Sequence, residues 1–151
     1  MAMEQEYIFL KLGDIKGKAT SEKFKDQIVL QNISYGISQG GSWKEGSQLS
    51  GRITTFSDLS CVKLMDVASP SLATACATKE QFPKAEISVT AGTKDAYYKL
   101  TLEKVIITSI STSISAGESE PAESFTISFR KGTWEYGTAK GGYDLETNKK
   151  I

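Results

Sequence analysis

The chain has no histidine anywhere in its 151 residues. That absence removes the Ser-His-Asp and Cys-His nucleophilic arrangements and every His-ligated metal centre. Cysteine is almost as scarce. Cys61 and Cys76 stand in separate elements without CxxC spacing, so neither a zinc site nor a disulfide framework follows, and two buried, reduced thiols are expected. Neither sign of charge is in excess, with 18 Lys and Arg against 18 Asp and Glu. This balance argues against a dedicated nucleic-acid or membrane-surface binder, whose affinity rests on a net basic patch. The early cluster of Lys16, Lys18, Lys23 and Lys25, interrupted by Glu22, reads as a solvated loop.

Long apolar runs are also missing. No stretch approaches the roughly 20 apolar residues of a membrane span, so no membrane insertion is expected. The start, "MAMEQEYIFLKL", is acidic where a secretory signal is basic, and its apolar run is short. The expectation is a soluble protein made in the cytoplasm, with any export by another route. There is no GxGxxG and no P-loop. SxxK occurs as "SCVK" (Ser60, Lys63) and "SFRK" (Ser128, Lys131), but both copies lie on expected strands, where i and i+3 face opposite sides instead of meeting as they do on a helix. Asp58 and Asp66 could in principle form a glycosidase-like pair. Asp66 is better read as a polar residue before a helix start, and Asp58 as a capping or interface carboxylate. No catalytic residue, metal ligand or cofactor site is therefore assigned, and the protein is read as not an enzyme.

What is present is mostly β. Residues 7–12, "YIFLKL", form a first strand. Residues 27–38, "QIVLQNISYGIS", alternate so that Val29, Ile33, Tyr35 and Ile37 share a core face, while Asn32, Ser34 and Gly36 share a small polar one. Residues 52–65, "RITTFSDLSCVKLM", put Phe56, Val62 and Leu64 on one side and Ile53, Leu59, Cys61 and Met65 on the other. Such a strand needs two covers. "SPSLATACATKEQ" is a helix, with Ser69 as N-cap, Pro70 first inside, Leu72, Ala73, Ala75 and Cys76 at helical spacing, and Pro83 as its far limit.

Strands resume at 85–91, with a turn at 92–95, and continue through 97–113, where the apolar phase slips at Glu103–Lys104. A loop at 115–124 precedes "FTISFRKGTWEY" (125–136), which slips at Gly132; one short edge strand is expected around 143–145. Slips of this kind mark bulges, which curve a sheet. With no internal repeat or composition break, the fold expected is a single domain over 1–151: mainly β, an antiparallel β-barrel or sandwich of two curved sheets with one α-helix packed on it.

One stretch stands apart: "QGGSWKEGSQLSGR" at 39–52, polar, Gly/Ser-rich and carrying Trp43. Loops of this length inside a compact domain are uncommon and usually have a function.

Taken in order, "FLKLGDIKGKAT", "IVLQNISYGISQ", "GRITTFSDLSCVKLMDVASPSLATAC", "FPKAEISV", "LTLEKVIITSIST", "FTISFRKGTWEY" and "GYDLETNKK" resemble the Hcp (hemolysin-coregulated protein) family, the tube subunits of bacterial type VI secretion systems. The likeness runs along nearly the whole chain. It implies a homohexameric ring that stacks into the exported inner tube, with sheath, spike and baseplate proteins as partners and small effector proteins held in the lumen. It also implies residence in the cytoplasm before firing and secretion afterwards without a cleavable signal peptide.

On this reading Asn32, Ser34 and Gly36 are lumen and effector-binding candidates. Gln39, Trp43, Lys44, Glu45, Gln48 and Leu49, in the extended loop at about 39–51, are ring-stacking candidates. Phe56, Asp58 and Leu59 are subunit-interface candidates. The alternatives are a phage-like tail tube protein and an Hcp-like effector chaperone or adaptor. An enzymatic fusion is not expected, because the chain stops soon after its last core strand. Where the family commonly has Gly after the helix, this chain has Lys79 and Glu80.

Overall fold

A computed structural model describes residues 6–39, 42–44, 48–50, 54–91 and 95–151. In chain order the strands before the helix are β1 (Ile8–Leu12), β2 (Ile28–Leu30), β3 (Asn32–Ser34), β4 (Ile37–Gln39), β5 (Ser42–Lys44), β6 (Gln48–Ser50), β7 (Thr54–Phe56) and β8 (Leu59–Leu64). Then come α1 (Ser69–Thr78), β9 (Gln81–Thr90), β10 (Ala96–Thr112), β11 (Ala122–Ser128), β12 (Lys131–Tyr136), β13 (Ala139–Asp144) and β14 (Lys149–Lys150). Ten of these strands form one antiparallel sheet, while β4–β7 and β5–β6 are separate two-stranded ribbons.

The long β10 organises the sheet. One edge pairs with β9 along its length; the other pairs with β12 through Tyr98–Glu103 and with β11 through Ile106–Thr112. The slip read at Glu103–Lys104 is real. Leu100 and Leu102 are buried before it and Val105 and Ile107 after it, and Lys104 takes φ +56 to reset the phase. Arg130 N–H donates to Glu103 O at 3.1 Å at the same level, where β11 hands over to β12. The register of β10 against β11 shifts again between Ile107 and Ser109. These irregularities bend the sheet into two facing curved walls. Between them lies the main core, with Leu10, Leu12, Ile28, Leu59, Ile87, Leu100 and Ile127 all at 0% exposure.

The segment from Ile28 to Ser34 behaves differently from a single alternating strand. It breaks at Gln31, whose N–H donates to Val62 O at 2.7 Å. β2 pairs with β1, and β3 with β8. The two ends of the sheet therefore approach at Gln31, but the ladder is interrupted there and the body is sandwich-like, not an unbroken barrel. The break also resets the phase. Ile28 and Leu30 enter the main core, Ile33 and Tyr35 pack on it from β3 onward, and Val29 turns to a second cluster with Phe9, Ala19 and Phe24. Grouping Val29 with Ile33 and Tyr35 is thus corrected. So is Ile37, which is 51% exposed because β4 leaves the body with β7.

The second cluster gives β1 its other cover: Phe9 stacks on Phe24 with centroids 4.4 Å apart. The 13–27 loop closes over it, passing so near itself that a Cβ on Gly17 would meet Gln27 O at 2.5 Å.

Several element boundaries differ from the sequence reading: β11 begins at Ala122, inside the loop read at 115–124, and the strand read at 125–136 is divided between β11 and β12. Ser69 is the first residue of α1 and not its N-cap, which is Ala68. β9 starts at Gln81, so Pro83 lies within a strand instead of marking the end of the helix; α1 ends earlier, at Thr78, capped by Lys79 in the left-handed region (φ 56), with Glu80 N–H closing on Ala75 O at 3.0 Å. The tail forms two strands, β13 and β14, each paired to its predecessor. The helix buries Leu72 and Ala75 and packs on β10, whereas Ala73 faces outward.

Candidate functional site

Four strands, β3–β8–β11–β10, form one wall whose register sorts side chains into rows, because directly paired residues share a face. One inward row is Ile33–Cys61–Phe125–Ile110. Two rows face the other way: Ser34–Ser60–Thr126–Ser109 and Asn32–Val62–Ser124–Ser111. Seven of these eight outward side chains are hydroxyls or an amide. Asn32, Ser34, Ser109, Ser111 and Ser124 are exposed. The first row is knitted by hydrogen bonds: the Ser109 and Thr126 hydroxyls meet at 2.6 Å, as do those of Thr108 and Thr126, and Thr108 Oγ1 donates to Asp58 Oδ2 at 2.7 Å.

The expected lumen residues Asn32 and Ser34 therefore belong to a polar surface that spans four strands. The sequence alone could not show this, because it depends on cross-strand register. Gly36 is exposed beyond the end of β3, and its N–H donates to Ser57 Oγ at 2.6 Å. Of the three interface candidates, only Asp58 is exposed. Leu59 is corrected: at 0% exposure it is wholly spent in its own core. Phe56 packs within its own chain, stacked on Phe129 at 5.1 Å and edge-on to Trp134 at 6.0 Å, not on the face of Val62 and Leu64. The turn at Ser57, whose N–H donates to Gly36 O at 2.9 Å, breaks the strand read at 52–65 and resets its phase.

The arm contains paired strands and is not a plain loop. β4 pairs with β7, where Gln39 Nε2 donates to Thr54 Oγ1 at 3.2 Å. β5 pairs with β6, setting Trp43 opposite Leu49 and Lys44 opposite Gln48 in the backbone register. Glu45 and Ile53, with the side chains of residues 42–44 and 48–50 and most of the turn read at 92–95, lie outside the described residues.

Sequence reading missed the inward end of the same wall. Lys63 pairs with Glu123, and Glu123 with Thr112, in a row that faces the interior. Lys63 is 0% exposed. Its Nζ lies 2.9 Å from both Asp66 Oδ1 and Glu123 Oε1, and donates to Ser69 Oγ at 3.0 Å. Ser69 in turn donates to Glu123 Oε1 at 2.8 Å and accepts from Asp66 N–H at 3.1 Å; Thr112 donates to Glu123 Oε2 at 2.9 Å. Asp66 Oδ1 also accepts the Ala68 N–H at 2.9 Å, which supports the reading of Asp66 as a residue that prepares the helix start. Burial pushes the Glu123 carboxyl up, but hydrogen bonds from Lys63, Ser69 and Thr112 and the Lys63 charge outweigh it and hold the group below its ordinary range.

The network ties β8, β10 and β11 to the first turn of α1. A signal was available: Lys63 follows Leu59 and Cys61 at period 2, and Glu123 precedes Phe125 and Ile127, so two opposite charges sit at core parity.

Ser69 Oγ lies 3.0 Å from Lys63 Nζ, but both side chains are buried and the Ser69 hydroxyl is spent on Glu123 Oε1. Burial pushes the Cys61 thiol up to about 12, an unreactive value. Among the described residues no group of three His, Cys, Asp or Glu is placed to hold a metal, and no helix is long and apolar enough to cross a membrane.

Comparison with known proteins agrees with the fold and its order of elements. The family described as "Type VI secretion system effector, Hcp" matches residues 9–136. Protein hcp1 of Pseudomonas aeruginosa is 31% identical over 155 residues, covering 93% of this chain and 96% of that one. The crystal structure of Hcp1 from Salmonella typhimurium superposes with a TM-score of 0.84 at 31% identity, over 96% of this chain and 98% of that one. A further structure, of a type six secretion system protein, reaches 0.87 at 27% identity, over 97% and 100%.

Proposed function

The chain belongs to the Hcp family of type VI secretion system proteins, and on that basis we propose that it is a structural subunit that closes into a hexameric ring and stacks into the exported inner tube. The outward face of the β3–β8–β11–β10 wall carries the reading. A surface of about eight small hydroxyl, amide and aliphatic side chains, without a lysine or arginine in its two rows, suits the inner wall of a wide aqueous bore. Small polar groups leave the bore open and hydrated, while exchanging hydrogen bonds with whatever passes through it.

In this role Asn32, Ser34 and Gly36 face the lumen and small effector proteins travel against them. The subunit performs no chemistry. Ring contacts are heterologous, one patch of each copy meeting a different patch of the next, so the bore-facing wall and the arm from Gln39 have separate tasks. The arm reaches toward the next ring, with Trp43, Lys44, Gln48 and Leu49 on its ribbon. The sheath, spike and baseplate of the same apparatus are the further partners. The protein is held in the cytoplasm until firing and leaves by the contractile route.

Light scattering on the purified chain, followed by electron microscopy of the same fraction, tests this. The expected mass is six times the 16.4 kDa of one chain, in annular particles. A monomer at high concentration without annular particles would overturn it.

A further inference from the structure

We propose that this wall selects cargo by charge, accepting folded proteins with a basic, polar surface and rejecting acidic ones. The inference rests on the wall facing the bore.

Its carrier is an imbalance that the whole chain does not have. Positive and negative residues are equal in number overall, yet the ladder turns the wall's own Lys63 and Glu123 inward, to burial. The next cations along these strands, Lys104 and Arg130, lie past Ile106 and Ser128 at the far end of the wall, and Lys104 is paired with Glu146. Among the described residues, what stays at the outward face of these rows is Asp58, exposed and set beside the first hydroxyl row by the bond from Thr108 to its Oδ2.

That bond fixes the carboxylate without neutralising it, since a threonine hydroxyl brings no charge. Closing the ring repeats the carboxylate once per subunit around a confined channel. A channel lined by one sign of charge focuses its field and concentrates the opposite charge. The hydroxyl rows add hydrogen bonds that every polar surface can satisfy, because each hydroxyl both donates and accepts. The hydroxyls therefore supply tolerance and Asp58 supplies the selection, mostly by suppressing the wrong partner.

The experiment uses assembled rings of the full chain. Two probes are compared by fluorescence anisotropy: a fluorescein-labelled Gly–Lys repeat peptide and its Gly–Glu counterpart. Wild-type rings should hold the cationic peptide at least about tenfold more tightly than the anionic one at low salt. The preference should collapse as ionic strength rises through the physiological range. Asp58→Asn, which keeps the shape of the side chain, should bring the two peptides together, and Asp58→Lys should invert their order. Equal binding of the two peptides by wild-type rings, no binding of the cationic one, or an unchanged preference in Asp58→Asn rings would overturn the charge rule.

Ser34→Trp, at an exposed position of the same rows, separates this failure from failure of the bore assignment. In rings shown intact by light scattering it should weaken binding of the cationic peptide. Should it bind both peptides as wild type does, the wall does not face the cargo, and the proposal falls with that reading.

Discussion

Replacing Lys63 by methionine leaves the volume of the side chain nearly intact and removes its charge. Two carboxylates, each with only 2% of its side chain exposed, then lose the cation that lies 2.9 Å from each of them. The remaining partners are neutral: Ser69 and Thr112 for Glu123, and the Ala68 N–H for Asp66. Breaking a buried pair from one side costs about 3–5 kcal/mol, because the stranded charge keeps its full desolvation penalty. In a domain of this size that is a fall in Tm of roughly 10 °C. The surface pair Lys23–Asp95 is the control. It is slightly shorter, at 2.8 Å, but its side chains are 57% and 86% exposed, so Lys23→Met should leave stability unchanged within error. Separation would rank the two pairs alike; burial decides between them. Urea unfolding at fixed protein concentration reads the difference as a lower midpoint at constant slope. A Lys63→Met loss of less than about 1 kcal/mol would refute the view that the network acts as one buried unit.

Glu123→Gln should flatten the acid limb of the stability curve. The folded-state carboxyl titrates below its ordinary 4.5, so its contribution is complete above that value and is lost as pH falls through the folded one; an identical acid limb in thermal melts of the variant would contradict this. Lys79→Gly should stabilise by about 1 kcal/mol, since Lys79 holds a left-handed φ of 56 that glycine adopts freely, as read by chemical denaturation. Deleting residues 40–50 should spare single rings and abolish tubes in negative-stain images, and tubes at wild-type levels would exclude the stacking role of the arm. Lys63→Leu with Glu123→Leu and Asp66→Asn, which removes all three charges, should recover most of the stability lost in Lys63→Met, while giving more than one set of backbone amide resonances for β8 and β11.

The strands and the helix were legible because their apolar periods are local properties. Leu100, Leu102, Val105 and Ile107 announce both a buried strand and its slip, and Pro70 marks a helix start. What failed was continuity across breaks. At Gln31 and at Ser57 the chain keeps a strand-like composition but turns, and each turn hands the core to the opposite parity, so an unbroken alternation groups Val29 and Phe56 with the wrong companions. The tail carries little strand signal for a related reason: β13 has glycines at 141 and 142 in place of a periodic apolar face, and its order comes from pairing with β12. The polar face of Asn32 and Ser34 was visible, but its extension through Ser60, Thr126 and Ser109 exists only once four strands are in register. The buried network was invisible to any rule that assigns lysine and glutamate to solvent.

That network bears on how the register itself is chosen. Shifting a strand by one residue moves its entire set of side chains to the other face. In β8 both sets are partly apolar: Leu59 and Cys61 on one, Val62 and Leu64 on the other. Burial of apolar area alone separates the two alignments weakly, since each buries a comparable amount at roughly 25 cal/mol per Å2. Lys63 and Glu123 break the tie. In the observed register they are direct cross-strand partners, with Ser69 and Asp66 completing their hydrogen bonds. Slipped by one, Lys63 would face away from Glu123 and leave that carboxylate alone in the interior, at a cost of several kcal/mol. The same slip would carry Ser60 into the core and put Leu59 and Cys61 on the outward rows. An ion pair that adds little net stability therefore fixes which face of the wall is hydroxyl-lined, and that face is the one the proposed function requires.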